Sequence, residues 1–315
     1  MEMDKATEYV IELSNVTKKF ENVTALDNVS LKVEKGKVFC FLGPNGSGKT
    51  TTVRLLNGLL APTSGTARVL GQDVRNEGEF VRSRCGVQTD TNLYEKLTAK
   101  ENLEIWGQLF GLKGKVLKEK VERLLKDAGL EGKSNVLAGK LSKGMKQKLA
   151  ISRAIINEPE ILFLDEPTAG LDPEASGELM EYLKNYVKEK KRTVFICSHR
   201  LEELEDVCER LAIISRGRIL ASGSLEEIKA GIWKENRFRI KLREIRKDLI
   251  GRLRKGKMLV DAELYEEGVI VSLRKKDDIS AIVEKLAKEK YGIMAVEEEK
   301  HSLKDIYFKF LGDEK

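Results

Sequence analysis

The spacing of apolar positions changes several times along the chain, and each change marks an element. From Tyr9 to Val38, short β-type runs (Tyr9 to Leu13, Val29 to Val33) alternate with polar turns, which predicts an antiparallel β-layer. Val38 to Leu42 is a continuous apolar run of strand length. Gly43 to Gly48 interrupts it, and Lys49 to Leu56 resumes with helix-compatible residues, giving strand, glycine-rich loop, helix. Between Thr98 and Asn157 the period becomes helical. Leu117, Val121, Leu124 and Leu125, then Leu149, Ala150, Arg153 and Ala154, predict an inserted helical lobe. Strand-like runs follow at Ile161 to Leu164, Val194 to Cys197 and Leu211 to Ser215, alternating with helices predicted over Glu174 to Glu189 and Glu202 to Glu209. That alternation indicates a parallel sheet wrapped by helices.

Gly217 and Gly223 punctuate a final hairpin, and Ser224 to Ile232 reads as a linker into a different pattern. Beyond it come strand (Arg237 to Leu242), helix (Ile245 to Leu253), strand (Met258 to Leu264), strand (Val269 to Leu273), helix (Ile279 to Lys290) and strand (Ile293 to Glu297), the order of a split βαβ, ferredoxin-like unit. A last helix, Leu303 to Leu311, gathers its apolar residues on one side and is expected to dock on the body. The fold class is therefore α/β with a parallel core, an antiparallel layer and a helical lobe at about 96–157. The expected domains are 1–228 and a small α+β unit at 229–315.

Composition narrows the function. Of 315 residues, 41% are hydrophobic and 34% charged, as in a globular protein. No run approaches the roughly 20 apolar residues of a membrane-spanning helix, and the acidic start (Glu2, Asp4, Glu8) lacks the apolar stretch of a secretory signal, so the expected location is the cytosol. Cys40, Cys85, Cys197 and Cys208 stand singly without metal-ligand spacing, and His199 and His301 are the only imidazoles. Buried thiols, and no metal beyond one that accompanies a nucleotide, are expected. The net charge of +6 is concentrated: Lys234 to Lys257 holds eleven Lys or Arg against Glu235, Glu244 and Asp248. Such a strip can mean nucleic acid or anionic lipid, but basic residues alternating with apolar ones are usually the wet face of a strand or helix, which is the favoured reading.

The chemistry starts at Gly43-Pro44-Asn45-Gly46-Ser47-Gly48-Lys49-Thr50, which fits the P-loop pattern. Small residues let backbone N–H groups curl around phosphates at a helix N-terminus, Lys49 reaches the β- and γ-phosphates, and Thr50, with Thr51 beside it, follows with a hydroxyl for Mg²⁺. Ile161 to Leu164 runs into Asp165 and Glu166, two carboxylates at the C-terminal end of a buried strand, where α/β sheets bind ligands. Asp165 suits the Mg²⁺ shell, and Glu166 suits a general base that polarises water. A lone Asp-Glu is commonly a capping turn; the upstream phosphate loop favours the catalytic reading. His199, after the strand Val194 to Cys197, is placed to hydrogen-bond a γ-phosphate.

Leu141-Ser142-Lys143-Gly144-Met145-Lys146-Gln147 then resembles the signature motif of ATP-binding cassette proteins, in the expected position before the Asp165-Glu166 strand. By the same resemblance Phe20 looks like the adenine-stacking aromatic. Gln88 is similar to the glutamine that joins the nucleotide and its Mg²⁺ to the helical lobe, and Ala169-Gly170-Leu171-Asp172 to the loop that crosses a dimer. The resemblance covers about Tyr9 to Ile228. It implies that two cassettes face head to tail, each ATP lying between one P-loop and Ser142 and Gly144 of the other. Phe20 replaces the more usual tyrosine and Met145 a frequent glutamine; neither change removes a catalytic group.

The Ser-Lys-Gly-Met-Lys-Gln form, the Ala-Gly-Leu-Asp-Pro loop and the C-terminal appendage are similar to export cassettes of the drug-resistance and polysaccharide type. This implies a motor subunit, working as a homodimer with ATP and Mg²⁺ on a separate permease at the cytoplasmic face of the membrane. Thr89 to Lys100 would receive the permease. A soluble cassette ATPase acting on ribosomes or nucleic acid is the rival. One cassette per chain and the absence of a sustained heptad pattern disfavour it. A cassette that senses ATP without turnover is disfavoured by the presence of Lys49, Asp165, Glu166 and His199 together.

Overall fold

Alternation of buried and exposed positions, interrupted by irregularities in register, makes the first two strands one long ribbon. β1 (Tyr9–Phe20) and β2 (Val23–Glu34) pair antiparallel, and Ile11, Leu13, Val16, Leu26, Val29 and Leu31 turn inward. The computed structural model describes residues 8–312 apart from 90–91, 191, 202, 234, 247, 255–258 and 300–301. The chain divides into two units. One runs to Leu225 and takes the chain up again at Phe310; the other is Glu226–Lys309.

In the first unit, β3 (Val38–Leu42) is buried at all five positions and leads through the glycine-rich loop into α1 (Lys49–Leu56). Next come β4 (Ser64–Val69), β5 (Gln72–Asp73), α2 (Gly78–Arg84) and β6 (Cys85–Gln88). The helical lobe follows as α3 (Ala99–Leu109), α4 (Gly114–Asp127) and α5 (Lys143–Ala154). Thr98 starts α3 with a reciprocal cap: its hydroxyl accepts from Glu101 N at 3.1 Å, and Glu101 Oε2 accepts from Thr98 N at 2.7 Å. The chain returns to the core as β7 (Ile161–Asp165), α6 (Pro173–Lys190), β8 (Thr193–Ser198), β9 (Arg210–Ser215) and β10 (Arg218–Gly223).

Two sheets result: an antiparallel one in the order β2-β1-β4-β5, and a six-stranded one in the order β10-β9-β3-β8-β7-β6, parallel except for β10. The expected architecture is present. Phe195, on β8, anchors the parallel sheet: Phe39, Phe41 and Phe163 from the flanking strands lie 5.4, 5.4 and 5.6 Å from its ring. Leu42 registers with Ser198, Asp165 with Cys197 and Leu164 with Gln88, so the carboxyl ends of four strands finish along one edge.

One predicted helix does not form. Glu202 lies outside the described residues, and 203–207 are turns. Leu201, Leu204 and Val207 are buried at a spacing of three, and bonds from Leu204 N to Leu201 O and from Val207 N to Leu204 O close successive tight turns. A period of three suits that winding better than the 3.6 of an α-helix.

In the second unit the expected linker is a helix, α7 (Leu225–Ile232). Then come β11 (Asn236–Leu242), α8 (Leu249–Leu253), β12 (Leu259–Tyr265), β13 (Gly268–Leu273), α9 (Ile279–Lys288) and β14 (Ile293–Glu298). The sheet order β12-β13-β11-β14, all antiparallel, is ferredoxin-like. Its core gathers Phe238, Ile240, Leu242, Leu249, Leu253, Val271 and Leu286. Helix α8 starts later than its sequence predicts because Arg246 is used elsewhere. Its guanidinium stacks 4.7 Å from the Tyr291 ring and donates to Glu289 O. The last helix, α10 (Leu303–Gly312), buries Leu303, Ile306 and Tyr307.

The described residues of the basic strip are divided between β11 and the loop and helix α8 that follow it. Arg237 pairs with Glu263 and Glu299, Arg239 with Glu299, Lys241 with Glu267, Arg252 with Asp248 and Glu289, and Arg254 with Asp261. Lys234, Lys247, Lys255 and Lys257 of the strip lie outside the described residues. Carboxylates, several of them from neighbouring strands, thus pair with Arg237, Arg239, Lys241, Arg252 and Arg254 among the described residues of the run.

Candidate functional site

Gly43 opens the loop because nothing larger fits: a Cβ there would lie 2.3 Å from Ile214 O. Gly46 and Gly48 take positive φ, 78° and 110°, which winds the loop into the first turn of α1. Pro44, Asn45 and Ser47 complete the curl, with Ser47 N bonded to Pro44 O at 3.2 Å. Lys49, 6% exposed, folds its ammonium back into this cradle, 2.7 Å from Gly43 O and 3.2 Å from Pro44 O. The same ammonium is 3.6 Å from Glu166 Oε1.

Thr50 donates its hydroxyl to Asp165 Oδ2 at 2.7 Å, and Thr51 follows it in α1. Burial pushes the Asp165 carboxyl above the usual carboxylate range, and neighbouring Glu166 adds to this; the Thr50 hydrogen bond and Lys49 oppose it. Two hard oxygens at that separation fit adjacent corners of a Mg²⁺ octahedron, whose edge is about 3 Å for metal–oxygen bonds of about 2.1 Å. Gln88, buried at the end of β6, registers with Leu164, the residue before Asp165.

Glu166 has a left-handed backbone, φ 51°, rare away from glycine. The bond from its N–H to Cys197 O at 2.8 Å holds it there and turns its side chain toward β8. His199 Nδ1 lies 2.8 Å from Glu166 Oε1, while Ser198 Oγ and His199 N reach Oε2 at 3.2 and 3.4 Å. Gly43, Lys49, Glu166 and His199 are thus joined by hydrogen bonds and one ion pair, and the Thr50–Asp165 hydrogen bond lies beside them where the loop and β7 end. A lysine, two carboxylates and an imidazole converging on a phosphate-sized loop can bind a polyphosphate and activate water beside it.

Other expected residues stand apart. Phe20 ends β1, 42% exposed, with its ring 4.9 Å from Lys18 Nζ. Ser142 caps α5, accepting from Met145 N at 3.3 Å, and Gly144 is the second residue of the helix, against Ala175. Asp172 caps α6 through Ala175 N at 2.9 Å. Among the described residues, no hydrogen bond joins Phe20, Ser142, Gly144 or Asp172 to the cluster.

Sequence reasoning missed two features. Ser198 holds the Glu166 carboxylate; its signal is a hydroxyl at the end of the strand beside Asp165. The second is a groove of about 320 Å³ beside β6, lined by Leu59, Val87, Trp106 and Phe110 together with Arg54 and Arg153. Arg153 stacks on Trp106 at 4.9 Å and donates to Asn92 O at 2.6 Å, and Lys146 pairs with Glu95 at 3.2 Å. The segment after Gln88, of which residues 90–91 are outside the description, is thereby tied to α5 at both ends of that helix.

Comparison with known proteins agrees with this geometry. A family model described as ABC transporter matches residues 26–169, and one described as ATP-binding protein DrrA1-3-like, C-terminal domain, matches 223–310. The probable multidrug ABC transporter ATP-binding protein YbhF of Escherichia coli is 39% identical over 224 residues, 71% of this chain; the match spans only 38% of that longer relative. The Nod factor export ATP-binding protein I of Paraburkholderia xenovorans is 40% identical over 219 residues, 69% of this chain and 71% of the relative. Among solved structures, cbiO1 from Clostridium perfringens, part of the ABC transporter complex cbiONQ, has a TM-score of 0.67 at 27% identity. It covers 71% of this chain and 91% of its own. The ATP-binding cassette MJ0796, in a dimeric post-hydrolysis state bound to ADP and phosphate, has a TM-score of 0.62 at 30% identity, with 68% of this chain and 98% of its own covered.

Proposed function

The chain belongs to the ATP-binding cassette family of transporter subunits, and from that premise we propose that it is the ATP-hydrolysing motor of an exporter whose permease is a separate chain. The cluster at the strand ends carries the reading. The loop Gly43 to Gly48 cradles the phosphates, Lys49 neutralises charge on the β- and γ-phosphates, and Phe20 stacks on the base. Thr50, Asp165 and Gln88 would hold Mg²⁺, which when bound screens the phosphate oxygens.

Glu166 accepts a proton from water as the water oxygen attacks the γ-phosphorus. The bond to the bridging oxygen breaks, and ADP and phosphate leave. His199 orients the γ-phosphate. Ser142, Gly144 and Asp172 act from a second copy, closing the site from the far side. The MJ0796 dimer supports that arrangement.

No helix among the described residues is long and apolar enough to cross a membrane, so movement of a substrate through a bilayer falls to the partner. The groove between Leu59, Val87, Trp106 and Phe110, at the start of the segment Thr89 to Lys100, suits an amphipathic helix from the permease, on the cytoplasmic face. Export is supported by the names of the relatives, a multidrug transporter subunit and a Nod factor export subunit.

The test has two parts. Purified chain should release phosphate from Mg-ATP, and Lys49→Ala should abolish the release; an unchanged rate would refute the site. Tagged chain drawn from native membranes in gentle detergent should bring a polytopic membrane protein near stoichiometry. Ribosomal proteins or nucleic acid in its place, removed by salt, would favour a soluble role.

A further inference from the structure

We infer that Ser198 is a positioning residue for hydrolysis, fixing the Glu166 carboxylate and tying it to the phosphate loop. The inference rests on the reading of Glu166 as general base. Ser198 is the last residue of β8 and is 1% exposed. Its three polar contacts reach three different segments. The main-chain carbonyl accepts from Gly43 N, the first residue of the loop, at 3.3 Å. The hydroxyl accepts from Arg200 N at 2.9 Å and donates to Glu166 Oε2 at 3.2 Å.

A serine hydroxyl has one proton, so accepting from Arg200 N leaves that proton for the carboxylate and fixes the rotor. The turn that supplies the Arg200 amide is itself anchored: Arg200 Nη1 donates to Thr168 O at 3.3 Å and to Glu203 Oε1 at 2.9 Å. Thr168 follows Glu166 by two residues, so both sides of the carboxylate are held by one short loop of bonds.

The two oxygens of Glu166 are held differently. Oε1 faces His199 Nδ1 and Lys49 Nζ, longer side chains whose proposed roles require freedom to turn toward a phosphate. Oε2 faces Ser198 Oγ and, at a longer 3.4 Å, His199 N. Ser198 sits at the end of a buried strand and has no such freedom. It therefore keeps Oε2 in place while the groups on Oε1 exchange partners, so the base stays aimed at the attacking water. Misplacement of a reacting group by about 1 Å can cost up to about 100-fold in rate.

The experiment compares S198A, S198T and S198C in the full chain, each also in the Glu166→Gln background, with ATPase rates and melting temperatures. The expected S198A result is a kcat about 5- to 50-fold lower with the KM for ATP within about twofold, because the hydroxyl touches the base and not the nucleotide. S198T should recover kcat to within about threefold, and S198C, a weak donor, should lie between. With Glu166→Gln in place, S198A should cost nothing further.

Wild-type kcat in S198A would overturn the inference. So would an equal proportional loss in both backgrounds, or a KM rising in step with the fall in kcat, since these mean the hydroxyl acts elsewhere. Should S198A fail to fold, the order Ser, Thr, Cys decides: equal rates for all three would refute it. Failure of the prior reading looks different, because Glu166→Gln alone would then leave the rate unchanged.

Discussion

Replacing Glu166 by Gln separates the two tasks of the strand-end cluster, binding and chemistry. The amide keeps the carboxylate's shape, so Ser198 Oγ and His199 N still have an oxygen to bond. It cannot accept a proton from water, and losing a general base costs about 10² to 10⁴ in rate, or about 3–5 kcal/mol of transition-state stabilisation. Binding should move the other way. Glu166 Oε1 lies 3.6 Å from a lysine ammonium that is 6% exposed, an attraction of about 4–5 kcal/mol at an effective dielectric near 20. A phosphate competes for that same ammonium. Removing the carboxylate's charge removes the competitor, and because solvent and the loop carbonyls at 2.7 and 3.2 Å repay most of the difference, about tenfold tighter ATP binding is expected. Steady-state phosphate release gives kcat, fluorescent-nucleotide titration gives Kd, and light scattering at saturating Mg-ATP should show a dimer that persists. A variant keeping more than a tenth of the wild-type rate, or binding ATP more weakly, would refute the assignment of Glu166 and the role given to its contact with Lys49.

Phe195→Ala removes the ring at the centre of three aromatic contacts and should cost about 3–5 kcal/mol, read as a lower urea midpoint of the cassette transition; a loss below about 1 kcal/mol would mean the sheet does not depend on that cluster. Burial pushes the Cys85 thiol up to about 12, aided by Glu160, and raises Cys40 and Cys197 as well. A disulfide reagent at pH 8 should therefore reach at most the half-buried Cys208 before unfolding, as counted by mass spectrometry. A raised thiol binds its proton more tightly in the native state, so the same groups predict stability falling as pH rises from about 9 toward 12, checked by thermal melts. The paired wet face of the second unit predicts no measurable binding of a short DNA duplex by anisotropy at moderate salt; tight binding that salt removes would reverse that reading.

What could be read in the sequence was what is encoded locally. The loop Gly43 to Thr50 is legible because its glycines must take positive φ or lie against backbone, and Asp165-Glu166 because a buried strand runs straight into it. The βαββαβ order of the second unit was legible from period alone. Features set by partners distant in sequence were not. Glu202 to Glu209 looked helical, but residues 203–207 are turns, and Leu201, Leu204 and Val207 are buried at every third position. The alternation of the basic strip favoured a wet face, but which acids pair with its described residues, Glu263, Glu267, Glu289 and Glu299 from other strands and loops, was not legible. Ser198 was invisible for the same reason: its hydroxyl gains meaning only when β7 and β8 place it beside Glu166.

The distribution of contacts also bears on why two copies should be needed. Within one chain the cluster is satisfied from one side: the loop, Thr50 and Asp165 form its floor, and Glu166 and His199 its wall. Ser142 and Gly144 begin a 12-residue helix whose first N–H groups, apart from the one Ser142 caps, are donors in search of an anion. Yet among the described residues no hydrogen bond joins them to the cluster in their own chain. On the proposed reading the N-terminus of this helix and the phosphate loop would be complementary surfaces on one molecule. On that reading a two-fold axis would bring each against the other twice with a single kind of contact, which would close the assembly as a dimer instead of propagating a chain. ATP would then lie in the interface as part of its adhesive, and hydrolysis, by removing the phosphate both copies share, would loosen the dimer that performed it.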